Sequence, residues 1–81
     1  MSILRNRTSH ATYVYFDVNR IHVCLSDGRE ISTPLEWFPR LQYATEEQRQ
    51  QWELIGGGVG IHWEAIDEDI SVAGLLGLPN D

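Results

Sequence analysis

Alternation of apolar and polar side chains along residues 11–35 constrains the fold of this 81-residue chain more than any other feature. Period-two patterns indicate β-strands that turn one face toward a core, and three such patterns follow one another here. Asp27-Gly28 separates the second from the third, and this dipeptide is a strong signal for a hairpin turn of type I′. Pro34 lacks a backbone N–H and should therefore lie at the end of a strand or at a sheet edge. The segment predicts a three-stranded antiparallel meander.

The longer of two predicted helices runs from Thr45 to about Ile55. Thr45 is a favourable N-cap, and Gln48 stands three residues later, where a capping box has its second partner. Arg49 and Glu53 would then form a weak ion pair one turn apart on the helix surface. The three consecutive glycines that follow would end the helix, because the residue after a helix often adopts the left-handed conformation.

One further strand and a short helix complete the predicted fold. Ile61 and Trp63 alternate with His62 in the fourth strand, which places His62 on the opposite face from Trp63. Asp69 or Ser71 would cap the short helix. The sequence thus predicts an α+β fold. A small antiparallel sheet, made of the meander and one later strand, packs with one longer helix and one short C-terminal helix.

Composition and charge narrow the classes of function. The chain has six basic side chains, all of them arginine, and twelve acidic ones, so its net charge is −6. Binding to nucleic acid depends on neutralising phosphates, so we expect no direct nucleic-acid partner. An acidic surface suits a basic partner protein, although the charge could also serve solubility alone.

A single cysteine and the lack of a long apolar segment indicate a cytoplasmic protein. Cys24 cannot form a disulfide within the chain, which fits a reducing compartment. No apolar run approaches the roughly 20 residues that span a bilayer, so we expect no membrane partner. We predict a flexible N-terminal segment over residues 1–10, a single α+β domain over residues 11–78 and a tail over residues 79–81.

Several ordered motifs resemble those of one known family. The motifs are Trp37-Phe38-Pro39-Arg40-Leu41, Trp52-Glu53-Leu54-Ile55-Gly56, Gly60-Ile61-His62-Trp63 and Asp67-Glu68-Asp69-Ile70-Ser71-Val72. Together they resemble a small bacterial domain of unknown function, family number 2442. The resemblance implies an α+β fold with a small antiparallel sheet. It also implies an antitoxin-like role, because genes of this family often lie beside a gene of a toxin-like family. The chain departs from the family pattern at Glu64 and Ala65, where Pro and Asp are usual.

Seven residues form the predicted partner-binding site. An aromatic pair beside an arginine is typical of interface hot spots, and a group of carboxylates attracts cationic side chains. The site residues are Trp37, Phe38, Arg40, Glu64, Asp67, Glu68 and Asp69. We expect one of the two aromatic side chains to face the core and the other to be exposed. Two alternatives stay open, namely acidic residues that only cap a helix and an arginine that pairs with them internally.

The favoured function is a non-enzymatic, antitoxin-like protein-binding module that regulates a small basic protein encoded by a neighbouring gene. A homodimeric structural or regulatory scaffold, joined through an exposed strand edge, is the first alternative. A metal-dependent hydrolase or nuclease is the second. We predict no catalytic residues, cofactor or metal site. His22 and Cys24 lack an orienting third residue, and the carboxylates lack the glycine-bearing loop of EF-hand sites.

Overall fold

Two three-stranded antiparallel sheets follow one another along the chain. The structure is a computed structural model and describes residues 9–77. The first sheet contains, in spatial order, β1 (Ala11–Phe16), β2 (Arg20–Leu25) and β3 (Glu30–Pro34). A 3₁₀ turn (Leu35–Trp37) and the short helices α1 (Pro39–Gln42) and α2 (Glu46–Arg49) come next. The second sheet contains, in spatial order, β4 (Trp52–Ile55), β5 (Gly60–Trp63) and β6 (Glu68–Ser71), and α3 (Val72–Leu76) follows it.

The α+β class and the N-terminal meander are confirmed, but the predicted arrangement of one sheet is wrong. The chain forms a second sheet of three strands where the sequence predicted one later strand. Ser71 caps α3, since its hydroxyl accepts a hydrogen bond from the Gly74 N–H at 2.9 Å. Asp69, the other predicted cap, lies inside β6. Glu68 and Asp69 are therefore part of a sheet, and Glu64 and Asp67 lie in the turn before it, so these acidic residues do not begin a helix.

The turn between β2 and β3 has a three-residue loop, and the predicted two-residue type I′ turn is wrong. The Leu25 N–H donates to the Arg29 carbonyl at 2.8 Å, and the Gly28 N–H donates to the Leu25 carbonyl at 3.1 Å. Gly28 has a φ of 93°, as a type I′ turn would require of it. Asp27 has no positive φ, because Asp67 is the one non-glycine residue within residues 9–77 that has one. Asp27 therefore lacks the positive φ that type I′ requires. Its carboxylate accepts from the backbone N–H and the Nε of Arg29 at 3.0 and 2.8 Å, which fixes the loop.

The predicted helix from Thr45 to Ile55 is wrong beyond its first turn. The capping box itself is present, because Thr45 and Gln48 exchange two hydrogen bonds of 3.0 Å between side chain and backbone. However, α2 ends at Arg49, and the chain then enters β4, which pairs with β5. The three glycines form the turn of this hairpin, each with positive φ. Strand pairing satisfies the backbone of β4 and outweighs the modest helix propensity of its residues.

The inner faces of both sheets contribute to one hydrophobic core. Its buried members are Ala11, Val14, Ile21, Val23, Leu25, Leu35, Leu41, Ile61, Trp63, Ile70 and Val72. Main-chain hydrogen bonds connect the first sheet and α3 to the β4–β5 turn. The Ala11 N–H donates to the Gly58 carbonyl at 2.7 Å, and the Val72 N–H donates to the Val59 carbonyl at 2.9 Å. The outer faces carry polar side chains such as His22 and His62, together with exposed apolar ones such as Tyr13 and Ile55.

Arg49 connects α1, α2 and the core. The predicted surface ion pair between Arg49 and Glu53 on a longer helix is wrong, because Glu53 lies in β4. The Nε of Arg49 donates to the Leu41 carbonyl at 2.8 Å, and its Nη2 donates to the Gln42 carbonyl at 2.7 Å. Its own carbonyl accepts a 3.0 Å hydrogen bond from the indole Nε1 of buried Trp63. The guanidinium carbon also lies 5.8 Å from the centre of the Phe16 ring. Arg49 thus satisfies carbonyls at the end of α1 and fixes the position of the largest core side chain.

We expect Arg49→Lys to lower the free energy of unfolding by about 1–2 kcal/mol. Lysine keeps the charge, but it cannot donate to two carbonyls in the fork geometry of a guanidinium. Urea unfolding followed by tryptophan fluorescence measures the change. Arg20→Lys is the matched control, because Arg20 is exposed and its replacement should cost less than about 0.5 kcal/mol. Equal effects of the two substitutions would contradict the role that we assign to Arg49.

The ends of the described segment add two observations. Ser9 and His10 each form a hydrogen bond with the β2–β3 turn, at 2.6 and 3.1 Å. The remainder of the predicted flexible segment 1–10 and the predicted tail 79–81 lie outside the described residues. No helix within residues 9–77 has the length and apolar character needed to cross a membrane.

Candidate functional site

The outer face of the second sheet carries a row of charged side chains. Glu53 of β4 lies opposite His62 of β5, and His62 lies opposite Asp69 of β6. Successive side chains of a strand point to opposite faces. His62 therefore faces outward while its neighbours Ile61 and Trp63 are buried. The pairing of the three strands thus places one histidine between two carboxylates, and we call Glu53, His62 and Asp69 the charged row.

Both ring nitrogens of His62 contact carboxylates. Nε2 lies 2.9 Å from Oε1 of Glu64, and Nδ1 lies 2.5 Å from Oδ1 of Asp69. The hydrogen bond with Glu64 and then that with Asp69 raise the pKa of His62 from 6.5 to about 9. At neutral pH the ring is therefore a cation, and both of its N–H groups donate.

We expect the pKa of His62 to be near 9 in the folded protein. The unfolded chain lacks the two carboxylate contacts, so there the pKa of His62 should be near the ordinary 6.5. The resulting stabilisation is complete below pH 6.5 and is lost as the pH rises through about 9. NMR shifts of the ring, followed over this range in metal-free buffer, measure the pKa directly.

Two variants control this titration. Glu64→Gln removes a hydrogen-bonded charge and should lower the pKa of His62 toward its ordinary value. Glu47→Gln makes the same chemical change on α2 and should leave the titration of His62 unchanged. A wild-type midpoint near 6.5 would contradict the contacts described above.

A groove of about 280 Å³ opens beside the charged row. Its walls are Thr33, Trp37, Phe38, Asp69, Ile70, Ser71, Gly74 and Leu75. Trp37 is 68% exposed, whereas Phe38 is half-buried and packs against the core. The predicted division into one core-facing and one exposed aromatic side chain is confirmed. Asp69 belongs both to this groove and to the charged row, so the two surfaces adjoin.

Arg40 and Asp67 pair with each other at the turn between β5 and β6. Nη1 of Arg40 donates to the backbone carbonyl of Asp67 and lies 3.8 Å from its carboxylate. That carboxylate is 90% exposed, so the ion pair contributes little to stability. The predicted alternative of internal pairing thus applies to these two residues, whereas Glu64 and Asp69 contact His62. Glu68 is half-buried, and strand alternation directs it to the opposite face from Asp69.

Glu53 and His62 are the members of the charged row that the sequence did not indicate as site residues. A helix from Thr45 to Ile55 would have separated Glu53 from His62. A hairpin signature was nevertheless present, because short alternating segments flank a glycine-rich turn. That pattern, taken as β4 and β5, would have placed the two residues on neighbouring strands.

The outer face of the first sheet carries a second polar network, centred on His22. Its Nδ1 lies 2.7 Å from the Ser32 hydroxyl, and its Nε2 lies 2.7 Å from an oxygen of Asp17. The ring of Tyr15 stacks on the imidazole with centroids 4.6 Å apart. The Tyr15 hydroxyl donates to the carboxylate of Glu30 at 2.6 Å. This hydrogen bond is the main cause that raises the pKa of Tyr15 to about 12. The contacts connect all three strands, so we assign this network to the stability of the sheet.

Cys24 lies on the same face but is not activated as a nucleophile. Burial is the main cause that raises the pKa of its thiol, and the carboxylate of Glu30 adds to the effect. The sulfur lies 3.8 Å from Oε1 of Glu30. A thiol that stays protonated at neutral pH is a poor nucleophile. The pairing of Cys24 with His22 considered from the sequence thus has no chemical support in these contacts.

Comparison with known proteins places the chain in a family. The profile of the family described as "Protein of unknown function (DUF2442)" matches residues 11–78. The chain belongs to this family. No curated protein matches it. The matched range contains both sheets, the groove, the charged row and α3.

Two solved structures have a similar fold. A protein of unknown function from Rhodospirillum rubrum is 30% identical with a TM-score of 0.72, over 90% of this chain and 92% of the other. An uncharacterized protein from Chromobacterium violaceum is 27% identical with a TM-score of 0.75, over 94% of this chain and 72% of the other. These two proteins share the two-sheet fold of the chain, and the similarity to them assigns no activity to it.

Proposed function

We propose that this domain is a non-enzymatic protein-binding module that takes a segment of a small basic protein across the groove and the charged row. The position of Asp69 carries the proposal, because this residue lines the groove and also contacts His62. An apolar surface and an anionic surface therefore adjoin. A partner segment with an apolar side chain next to a basic one complements both surfaces.

Trp37 supplies the apolar anchor in this proposal. Its side chain is 68% exposed and borders the groove together with Phe38 and Leu75. Covering an exposed indole removes a large apolar area from water, which is why tryptophan is frequent among interface hot spots. The groove, at about 280 Å³, has room for one large apolar side chain of the partner.

Carboxylates outnumber cations around His62. Glu53 and Asp69 of the charged row and the adjoining Glu64 surround a single imidazolium. Within residues 9–77 no arginine forms an ion pair with any of these three carboxylates. The excess negative charge favours arginine or lysine side chains of a partner. Because both sides of such a contact are exposed to solvent, salt should weaken the binding.

In the cell, this binding would give the domain an antitoxin-like role. The resemblance to the family points to the product of a neighbouring gene as the partner, and covering the basic surface of that protein would regulate it. We place the interaction in the cytoplasm. The raised pKa of the Cys24 thiol and the carboxylate contacts on both nitrogens of His62 favour binding over catalysis.

Calorimetric titration with the purified product of the neighbouring gene tests the proposal. We expect one-to-one binding in the micromolar range or tighter, with an affinity that falls as the salt concentration rises. Glu64→Gln should weaken the binding, whereas Glu47→Gln, which removes the same charge from α2, should not. Undetectable binding in low-salt buffer would overturn the proposal.

A homodimer is the second candidate, and an exposed aromatic patch at a sheet edge favours it. Tyr13 of β1 is 54% exposed, and its ring meets that of Trp52 edge-on with centroids 5.7 Å apart. β1 is an edge strand of its sheet, and the part of this edge beyond the contact of Ala11 with Gly58 can pair with a second copy. Light scattering decides the matter. A dimeric mass that Tyr13→Ser abolishes would support this alternative, and a monomeric mass at high protein concentration would exclude it.

A further inference from the structure

Three side chains on the outer face of the second sheet bring ligand atoms close to one point. One carboxylate oxygen of Glu53, one ring nitrogen of His62 and one carboxylate oxygen of Glu64 lie within 4.8 Å of one another. Imidazole nitrogen and carboxylate oxygen are both ligands that Zn²⁺ takes in proteins. We propose that these three residues form a binding site for a divalent transition-metal ion, for which Zn²⁺ is the probe.

The pairing of β4 with β5 holds the backbone of this site. Glu53 and His62 face each other in the strand register, and Glu64 follows His62 by two residues. Ligand atoms of a tetrahedral Zn²⁺ site lie about 3.4 Å apart, since the metal–ligand distances are about 2.0–2.2 Å. The side chain of Glu64 is 87% exposed, and Glu53 is exposed as well. Rotations within these two side chains can therefore close the remaining distance while the backbone stays in place.

Asp69 acts as the positioning residue of the proposed site. It lies 2.5 Å from Nδ1 of His62 and accepts the hydrogen bond from that nitrogen. Nε2 is then the nitrogen that faces Glu64, at 2.9 Å. Histidine ligands of metals commonly donate their second N–H to a carboxylate, which fixes the tautomer and the orientation of the ring. The contacts of His62 follow this arrangement.

Binding of the ion would exchange one proton for the metal. Nε2 of His62 releases its proton to solvent and gives its lone pair to the metal, while Nδ1 keeps the proton that it donates to Asp69. The carboxylate of Glu64 replaces its hydrogen bond with Nε2 by a bond to the metal, and Glu53 supplies the third ligand. No electron transfer is involved. A water molecule can complete a tetrahedral site as the fourth ligand.

This inference goes beyond the proposed protein-binding function and does not depend on it. The metal ligands overlap with the anionic surface offered to a partner, so an ion bound there would reduce its negative charge. Metal binding is nevertheless a property of the isolated chain. Its test needs no partner, and failure of one proposal therefore leaves the other intact.

Titration of the full chain with Zn²⁺ against a chromophoric chelator tests the site. We expect one ion per chain, and an affinity at least about tenfold lower in His62→Gln and in Glu64→Gln. Glu47→Gln removes the same charge from α2 and should leave the affinity unchanged. Cys24→Ser should also retain the binding, which separates the site from adventitious thiol binding.

Nitrogen NMR of the histidine rings identifies the ligand atom. We expect Zn²⁺ to shift the Nε2 resonance of His62 while Nδ1 keeps its proton. Absence of saturable binding would overturn the proposal, as would equal affinities of Glu64→Gln and the wild type, or shifts confined to His10 or His22. Glu64 lies in an exposed turn, so its variant keeps the test decisive even where His62→Gln fails to fold.

Discussion

Trp37→Ala should weaken the binding of the basic partner by about 2 kcal/mol or more, which is a rise of roughly 30-fold in Kd. The partner would lose the exposed aromatic wall of the groove, and its own apolar side chain would stay partly in water. Because the indole is 68% exposed in the free domain, the free energy of unfolding should hardly change. Calorimetry measures the first quantity, and urea unfolding measures the second.

Tyr43→Ala is the matched control for this substitution. Tyr43 is 83% exposed, so its removal also deletes an exposed aromatic ring. It is not a wall residue of the groove, and the affinity for the partner should therefore stay the same. Equal losses of affinity in the two variants would show that Trp37 is not the anchor of the interface.

Gly58→Ala should lower the free energy of unfolding by about 3 kcal/mol. Gly58 has a φ of 105°, a conformation that side-chain-bearing residues rarely adopt. An added Cβ would lie 2.5 Å from the carbonyl oxygen of Ala11 and 2.9 Å from Cβ of His10. The backbone there cannot give way freely, because the Ala11 N–H donates to the Gly58 carbonyl at 2.7 Å. The substitution therefore strains the contact between β1 and the β4–β5 turn.

Gly57→Ala separates conformational strain from the steric clash. Gly57 also has a positive φ, of 70°, but among the described residues no atom lies within 4 Å of an added Cβ. We expect a loss of only about 1 kcal/mol from the left-handed conformation. Urea unfolding of both variants under identical conditions gives the comparison. Similar losses at the two glycines would show that the close approach to β1 does not matter for stability.

The first sheet could be predicted because its signals are local. Alternation along residues 11–35 indicates the strands, and Asp27-Gly28 indicates a turn between two strands that are neighbours in sequence. The structure has three strands in this range. The turn type could not be predicted in the same way. It depends on which residues pair across the loop, and Leu25 pairs with Arg29. A dipeptide signal does not contain that information.

The second sheet could not be predicted from the signals that were given most weight. The capping box of Thr45 and Gln48 marks the start of a helix and says nothing about its length, which is four residues. The helix ends because the chain after it pairs with β5, a contact between separate segments. Glycines suit the end of a helix and the turn of a hairpin equally well. The pairing of strands decides between these two structures.

Part of the candidate site was predictable, and the rest depended on the strand register. Trp37, Phe38 and Asp69 were expected as site residues, and the structure places all three in one groove. An aromatic pair beside an arginine and a group of carboxylates in one segment led to this selection. Glu53 and His62 become neighbours only through the pairing of β4 with β5. The incorrect prediction of a helix over residues 45–55 therefore kept these two residues apart in the predicted fold.

Amide chemical-shift mapping of the labelled chain, titrated with the product of the neighbouring gene, tests the central claim most directly. We predict that the shifts concentrate at the groove and the charged row, above all at Trp37, His62 and Asp69. The amides of Tyr15 and His22, on the outer face of the first sheet, should stay unaffected. Shifts confined to the first sheet, or no shifts at a saturating partner concentration, would contradict the account.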